Sequence, residues 1–276
     1  MDAICSWFGI TRQAHYQKLR RRTETEQEEK KVLSMVQSVR RHHPKMGGRK
    51  LLHKLGPEMV QEGISLGRDR FFSLLERHDL LVRPSKQKRR TTWSGIWHSP
   101  NLMKDLAITH VQQAWVGDIT YLETEAGFCY LFLLTDAFSR YIVGYNLSTS
   151  LAVEGARRAL EMAIDQAFFP LSGLIHHTDH GIQYACQIYR ERLEELGILS
   201  SMGEVGNCYE NALAERMNGI LKQEYCLDHV FSGFDQARRA VRESVWLYNC
   251  DRPHLSLDYQ IPVRMHTAKV PEMAMV

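Results

Sequence analysis

The pattern of apolar and polar residues divides the chain into a helical first part and a mixed second part. Before residue 84, apolar residues recur three and four positions apart, which predicts amphipathic helices. We expect these helices at 12–22, 24–43, 48–62 and 68–78. Thr11 is a suitable N-cap for the first helix, and Pro44 and Gly63 end the second and the third.

The second part has the pattern of strands that alternate with helices. Runs of β-branched and aromatic residues mark the strands, and the run from Phe128 to Leu134 is almost entirely apolar, as in a central strand. The predicted order is three strands at 113–123, 128–138 and 141–147, a helix at 151–168, a strand at 173–179, a helix at 186–197, a strand at 198–202, and helices at 208–224 and 233–249. This order predicts an α/β fold with a mixed five-stranded sheet.

Composition places the chain among ordinary globular proteins of one or two domains. It has 276 residues, of which 44% are apolar and 24% charged. No apolar run is long enough to span a bilayer, and the start of the chain does not resemble a signal or transit peptide. The six cysteines are scattered, without a C-x-x-C pair. This usage predicts reduced thiols in a cytoplasmic protein.

Charge is distributed unevenly along the chain. Residues 1–100 contain 21 Lys and Arg against 10 Asp and Glu, whereas residues 101–276 contain 14 against 22. We therefore expect a helical DNA-binding region at 1–83, a basic linker at 84–108, a core domain at 109–265 and a tail at 266–276. The region is most like a helix-turn-helix at 47–83. A solvated basic surface and a plain helical hairpin are the alternatives.

Three acidic residues, Asp118, Asp179 and Glu215, are candidates for a functional site because of their positions in the predicted elements. Asp118 falls within an apolar predicted strand, where a charged group is costly unless it is paired or bound to a metal. Asp179 ends a short apolar strand, at the edge of an α/β sheet where active sites gather. Glu215 lies on a predicted helix and shares a polar face with Asn211 and Lys222.

Five short sequences stand out along the second part of the chain. They are WVGDITY at Trp115–Tyr121, TDAFSR at Thr135–Arg140, HTDHGIQY at His177–Tyr184, ENALAE at Glu210–Glu215 and YNCDRPH at Tyr248–His254. In this order they resemble the second-reading-frame transposases of bacterial insertion sequences in the insertion-sequence-three group. Asp118, Asp179 and Glu215, with 35 residues between the last two, resemble the acidic triad of the retroviral-integrase superfamily.

This resemblance implies a ribonuclease-H-like catalytic core and a DNA transposase that nicks and joins the ends of its own element. Two Mg²⁺ ions about 3.5–4 Å apart would activate the attacking oxygen and stabilise the leaving oxygen, and Mn²⁺ is expected to substitute. Carboxylates suit such hard ions. Asp118, Asp179 and Glu215 are therefore the expected catalytic residues and metal ligands.

A set of polar residues is expected to contact DNA: Lys222, Asn211, Arg216, His177, Arg68, Arg70 and Arg252. The resemblance implies that Lys222 binds the terminal DNA of the element, and a solvated lysine is the alternative. Arg68 and Arg70 open the helix that we expect to recognise DNA. For Arg252, a structural clasp on the core is as well supported as a DNA contact.

Asp136 and a group of histidines are not expected to bind the metal. Asp136 belongs to a family motif but not to the triad, and we expect it to be structural and to pair with Arg140. His176, His177 and His180 suggest zinc, but no second cluster in the sequence has the spacing of zinc ligands.

The sequence leaves two other functions open and implies several partners. A DNA-binding regulator of a full-length transposase would bind DNA without catalysis, and a nuclease for RNA–DNA hybrids would share the fold. For a transposase, the resemblance implies a homo-oligomer on element ends and target DNA, with no membrane partner. It also implies a first-frame protein, joined by ribosomal frameshifting, that supplies recognition of the ends. Because this chain starts at Met1 without such a domain, we expect it to lack full specificity alone.

Overall fold

The structure is a computed structural model that describes residues 7, 9, 11–82, 99–203 and 212–268. Residues 84–98 of the expected linker, the start of the helix expected at 208–224 with Asn211, and most of the expected tail lie outside the described residues. The chain forms two compact units, Met1–Arg83 and Pro84–Val276. Within the described part, no helix is long and apolar enough to cross a membrane.

The first unit consists, in its described residues, of three helices around one apolar core. They are α1 (Arg12–His42), α2 (Gly48–Gln61) and α3 (Arg68–Arg77). The periodic apolar positions face inward and form the core, which contains Val32, Val36, Leu51, Leu55, Met59, Phe71, Leu74 and Leu75. Gly63 follows α2 with a φ of 69°, a left-handed conformation that favours glycine and ends the helix.

The predicted break near residue 23 is wrong, because α1 runs through it without interruption. Arg20 pairs with Glu24 and Arg22 pairs with Glu26, each at 2.9 Å, across the expected junction. Oppositely charged residues four positions apart stabilise a helix. The polar residues that suggested a boundary therefore continue the helix.

The second unit is built on a mixed sheet whose described strands number five. They are β1 (Ala114–Thr124), β2 (Gly127–Asp136), β3 (Ile142–Ser148), β4 (Ile175–Thr178) and β5 (Leu199–Met202). Their spatial order is β3–β2–β1–β4–β5. β2 is antiparallel to both β1 and β3, whereas β4 is parallel to both β1 and β5. This arrangement confirms the expected α/β fold with a ribonuclease-H-like sheet.

Helices cover both faces of this sheet. They are α4 (Val153–Asp165), α5 (Ile182–Ala185), α6 (Gln187–Glu195), α7 (Ala212–Glu224), α8 (Phe234–Cys250) and α9 (Pro262–Thr267), with a 3₁₀ turn at Leu255–Leu257. Leu131 and Leu133 of β2 belong to the core on the side of α7 and α8. Phe132 and Leu134 belong to the core on the side of α4 and α6. Burial on both faces explains why this strand is apolar throughout.

Gly144 of β3 lets helix α4 approach the sheet closely. A Cβ at this position would lie 2.1 Å from the backbone oxygen of Ala159. We expect Gly144→Ala to lower the free energy of unfolding by about 1–3 kcal/mol, because overpacking forces the backbone to shift. Urea unfolding of the purified variant measures this change.

Gly219 of α7 provides the matched control for this substitution. A Cβ there meets nothing within 4 Å. Gly219→Ala is expected to raise the free energy of unfolding by about 0.5–1 kcal/mol, because alanine loses less conformational entropy in a helix. If Gly144→Ala were as stable as the unchanged protein, the close approach of α4 to β3 would be contradicted.

Candidate active site

Asp118 lies in the central strand β1, just beyond the end of the neighbouring strand β4. β4 pairs with β1 only along residues 114–116, so that β1 has an open edge further on. The Asp118 carboxylate accepts a hydrogen bond at Oδ1 from the backbone N–H of Ile119, at 2.8 Å. Its Oδ2 accepts another from the side-chain amide of Asn218, at 2.7 Å. Both oxygens are therefore held by neighbours in the fold.

The surroundings of Asp118 oppose its negative charge. The pKa of this carboxyl is raised from its ordinary value of 3.8 to about 7, and burial is the largest cause. The negative charges of Asp179 and Glu215 contribute to this rise, against the hydrogen bonds from Asn218 and Ile119, which lower the pKa. Because both acids act on the same group, the structure brings the three predicted catalytic carboxylates into one electrostatic neighbourhood.

Asp179 directly follows the last residue of β4. Because β4 runs parallel to β1 beside it, the end of β4 delivers this carboxylate next to the open part of β1. Asp179 accepts a hydrogen bond at Oδ1 from the backbone N–H of Gly181, at 3.0 Å. A Cβ at Gly181 would lie only 3.0 Å from the same oxygen. Glycine at this position therefore leaves room for the carboxylate.

Glu215 is supplied by the first turn of helix α7 and is exposed. The helix packs on the sheet through Met217, Ile220 and Leu221, which are buried. Asn218, one turn after Glu215, ties the same helix to Asp118. The sheet thus fixes the position of α7, while the Glu215 side chain itself remains in solvent.

The carboxylates have the ligand chemistry of a site for a hard divalent cation. A cation between Asp118 and Asp179 would remove the repulsion that raises the pKa of Asp118. In residues 11–82, 99–203 and 212–268, no three His, Cys, Asp or Glu side chains are arranged to hold one ion together. Of the two other acids, Asp179 has the larger effect on the pKa of Asp118.

Lys222 lies two turns after Glu215 on the same helix, and its ammonium group reaches the site. Its Nζ lies 4.7 Å from the centre of the Tyr121 ring, in a cation–π contact. Burial lowers the pKa of Lys222, against the charges of Asp118 and Asp228, which raise it. A positive charge therefore acts on Asp118 from the helix that carries Glu215.

Two of the residues predicted to contact DNA are buried instead. His177 is 0% exposed, and its Nδ1 lies 2.9 Å from the hydroxyl oxygen of Ser201. Arg252 is 2% exposed and donates two hydrogen bonds to the Glu224 carboxylate, at 2.8 and 2.9 Å. Neither side chain can reach a phosphate in this arrangement, so these two predictions are corrected. Arg252 forms the structural clasp that was its alternative.

Three other residues predicted to contact DNA are exposed, and Lys222 is half-buried. Arg216 lies on α7 next to Glu215, and Arg70 lies on α3. Arg68 opens α3 and pairs with the adjacent Asp69 at 2.9 Å, with both side chains largely in solvent. Asn211 lies outside the described residues. The exposed arginines are free of the burial that excludes His177 and Arg252.

Asp136 is structural, although not through the expected ion pair. It is 0% exposed and accepts hydrogen bonds from the backbone N–H groups of Gln112, Phe138 and Ser139, and from the Ser139 hydroxyl. Arg140 instead donates to the backbone oxygen of Ala137, at 2.6 Å. Asp136 thus organises the turn after β2.

Asn218 was not singled out from the sequence. It lies three residues after Glu215 and four before Lys222, which places the three on one helix face. This spacing was the available signal. An asparagine in a helix has no special meaning until its partner, 100 residues away in the chain, is known.

Comparison with known proteins identifies the family. A model described as an integrase core domain matches residues 109–208, and a second model with the same description matches residues 196–262. The transposase for insertion sequence element IS904 from Lactococcus lactis subsp. lactis is 31% identical over 249 residues, which cover 88% of this chain and 97% of that protein. The chain belongs to the insertion-sequence transposases.

Other relatives support this membership. An uncharacterized 31 kDa protein of insertion element IS600 from Shigella sonnei is 32% identical over 258 residues, 92% of this chain and 94% of that protein. Transposase InsF for insertion sequence IS3A of Escherichia coli strain K12 is 31% identical over 204 residues, 72% and 68% of the two chains. The predicted membership of the insertion-sequence-three group is confirmed. This transposase is a polynucleotidyl transferase that cleaves DNA and transfers strands.

Among solved structures, the catalytic core domain of HTLV-2 integrase in complex with magnesium, in its trimeric form, is 21% identical with a TM-score of 0.46. The match covers 57% of this transposase and 97% of that chain.

Proposed function

We propose that this transposase cleaves and joins DNA at the ends of an insertion sequence with Asp118, Asp179 and Glu215 as its catalytic carboxylates. Mg²⁺ is the proposed cofactor, with two ions per site. The observation that carries this assignment is the placement of the three acids: the parallel pairing of β4 with β1 sets Asp179 beside the open part of β1, and Asn218, on the helix of Glu215, bonds Asp118. Bound divalent ions would supply positive charge for the attacking and leaving oxygens of the phosphodiester.

The residues around the carboxylates orient them for this role. The N–H of Ile119 and the amide of Asn218 fix the two oxygens of Asp118, and the N–H of Gly181 fixes one oxygen of Asp179. Hydrogen bonds to metal-binding carboxylates set their direction and basicity. Asp118 and Asp179 are thus preorganised, and Glu215 completes the site from the more exposed helix.

DNA contacts on both units follow from positive charges that are exposed or half-buried. Lys222 and Arg216 lie on the helix that carries Glu215, where a phosphate beside the carboxylates would meet them. In the first unit, Arg68 and Arg70 at the start of α3 are the proposed contacts of the helical DNA-binding region. The prediction that Asn211 contacts DNA near the metal stays a prediction.

The proposed partners are double-stranded DNA of the element ends and of the target, and further copies of the same chain. A protein that joins two ends to one target is expected to act as an oligomer. A first-frame protein that supplies end specificity, and a cytoplasmic location, are parts of the same proposal.

A strand-cleavage assay tests the proposed function. Labelled duplexes carrying the ends of the element are incubated with the full chain while Mg²⁺ or Mn²⁺ is titrated. We expect new 3′-hydroxyl ends and joined products that depend on the metal. DNA binding without a metal-dependent product would support the regulator instead, and preferential cleavage of an RNA–DNA hybrid would support the hybrid nuclease.

Asn218→Ala is expected to lower the rate of strand cleavage by roughly 10- to 100-fold, the range typical of residues that orient metal ligands. The substitution removes the 2.7 Å hydrogen bond to Asp118 and leaves one carboxylate oxygen unheld. Single-turnover cleavage at saturating Mg²⁺ measures the effect. Gln223→Ala, which removes an exposed amide from the same helix, is the matched control and is expected to retain full activity. Equal rates for the two variants would rule out the orienting role.

A further inference from the structure

The cation–π contact between Lys222 and Tyr121 suggests a role for the Tyr121 ring in placing the Lys222 ammonium. We propose that Tyr121 is a positioning residue, which holds the Lys222 ammonium beside Asp118 so that it meets a DNA phosphate. The inference rests on the proposed role of Lys222 in DNA binding and assigns Tyr121 a role in the same site. Tyr121 itself touches neither the carboxylates nor the expected DNA in this proposal.

The place of Tyr121 in the sheet suits this role. It lies three residues after Asp118 on β1, beyond the residues that pair with β4, so its ring stands where the strand has an open edge. The ring packs edge-on against Phe128 of β2, with centres 5.3 Å apart and planes at 71°. Tyr121 is also directly opposite Tyr130 in the register of β1 and β2. The hairpin of β1 and β2 therefore holds the ring independently of Lys222.

Lys222 benefits from such a support, because its long side chain makes no hydrogen bond or ion pair with the residues that the structure describes. Within the described residues, Lys222 makes no ion pair with a carboxylate. The charges of Asp118 and Asp228 act on it and raise its pKa. A lysine side chain has a flexible four-carbon stem and loses much conformational entropy when it is fixed. The face of Tyr121, 4.7 Å from Nζ, is the contact that locates the charge.

The position of this charge matters because phosphodiester chemistry depends on geometry. An ammonium group whose position varies by several ångströms attracts DNA, but it does not fix the phosphate relative to Asp118 and Asp179. The aromatic face restricts the ammonium without neutralising it, whereas a carboxylate partner would compete with the phosphate. Tyr121 thus keeps the positive charge both placed and available.

A double-mutant cycle in the full chain tests the proposal, with single-turnover strand transfer on end duplexes as the readout. Tyr121→Phe keeps the ring and is expected to stay within about 2-fold of the unchanged protein. Tyr121→Leu removes it and is expected to reduce the rate roughly 3- to 20-fold, the range of a cation–π contact. In a Lys222→Ala background the same Tyr121→Leu change is expected to have less than about a 2-fold effect. An equal loss in both backgrounds would overturn the proposal, because Tyr121 would then act independently of Lys222.

Chemical reactivity of Lys222 gives a readout that does not depend on catalysis. The protein without DNA or metal is treated briefly with an amine-acylating reagent, and mass spectrometry compares modification at Lys222 with that at the exposed Lys18. We expect Tyr121→Leu to increase the relative modification of Lys222 several-fold, and Tyr121→Phe to leave it unchanged. If circular dichroism shows that Tyr121→Leu is folded and its modification at Lys222 is unchanged, the proposed contact is contradicted. If instead Lys222→Ala transferred strands at the normal rate, the proposed DNA role of Lys222 would fail while the contact itself stood.

Discussion

Replacing Asp118 by Asn is expected to abolish strand cleavage and strand transfer, with a loss of at least about a thousandfold. The carboxylate is the proposed ligand on the central strand, and the charge stabilisation that a metal supplies is worth several kcal/mol in the transition state. An asparagine has nearly the same shape, and its hydrogen bonds need one rearrangement: the Asn218 amide turns so that its oxygen accepts from the new N–H₂ group. Single-turnover assays with end duplexes and Mg²⁺ measure the loss.

The same substitution is expected to leave the metal-free fold at least as stable. The folded pKa of Asp118 is raised to about 7, so the charged form is disfavoured in the fold. The contribution of the neutral Asp118 carboxyl to the free energy of unfolding is therefore fully present below pH 4 and is lost as the pH rises through 7. In the variant, the amide oxygen still accepts from the backbone N–H of Ile119, and the turned Asn218 amide accepts from the new N–H₂ group. In EDTA, Asp118→Asn should therefore exceed the unchanged protein in stability at pH 8, by on the order of 1–3 kcal/mol, and lose the advantage near pH 4.

Asp235→Asn is the matched control for both measurements. Asp235 is an exposed acid on α8, with 72% of its side chain in solvent. We expect no change in strand transfer and almost none in stability. Product formation by Asp118→Asn at a normal rate would refute the catalytic assignment. Strong destabilisation of that variant at pH 8 would instead show that the charge of Asp118 supports the fold.

Arg252→Ala is expected to lower the free energy of unfolding of the second unit by about 3–5 kcal/mol, the usual cost of removing one partner of a buried ion pair. The guanidinium makes two hydrogen bonds to Glu224, whose side chain is only 16% exposed, and it lies over the ring of Tyr248. Without the guanidinium, the charged Glu224 carboxylate at the end of α7 remains largely buried and loses these two hydrogen bonds. Urea or thermal unfolding measures the loss.

Arg238→Ala provides the comparison for Arg252. Arg238 pairs with Asp235 at 2.9 Å, but both side chains are largely exposed, and such pairs contribute about 0–1 kcal/mol. We also expect Arg252→Lys to recover only part of the stability, because an ammonium cannot make the two parallel bonds of a guanidinium. Equal stability of Arg252→Ala and Arg238→Ala would contradict the structural role of the buried pair. A specific loss of DNA binding by Arg252→Ala at unchanged stability would restore the original prediction.

The regular elements followed from local patterns wherever these were strong. The apolar run of β2 and the periodic residues of α2 and α3 predicted elements whose bounds differ from the structure by only a few residues. The break near residue 23 did not exist, because charged residues are equally compatible with a boundary and with ion pairs along a continuous helix. Short α5 was not anticipated, since four residues are too few for a periodic pattern.

Residue type alone did not distinguish a polar group on the surface from one inside the protein. His177 and Arg252 have side chains suited to phosphate, and their motifs made a DNA contact a reasonable prediction. The structure buries both, because a hydroxyl and a carboxylate from distant parts of the chain satisfy them. Asn218 shows the converse, since a polar helix residue without a motif of its own is the one that holds Asp118.

The sequence by itself determined the family and the alternation of strands and helices, and it singled out the three acids as candidates, because motifs and periodicity are local properties of a chain. Only the tertiary structure decided how these acids act on one another. The parallel pairing of β4 with β1 sets Asp179 beside Asp118, and the packing of α7 brings Asn218 and Lys222 to the same edge. Burial and the strength of a charge depend on neighbours from the whole fold, so no window of sequence contains them.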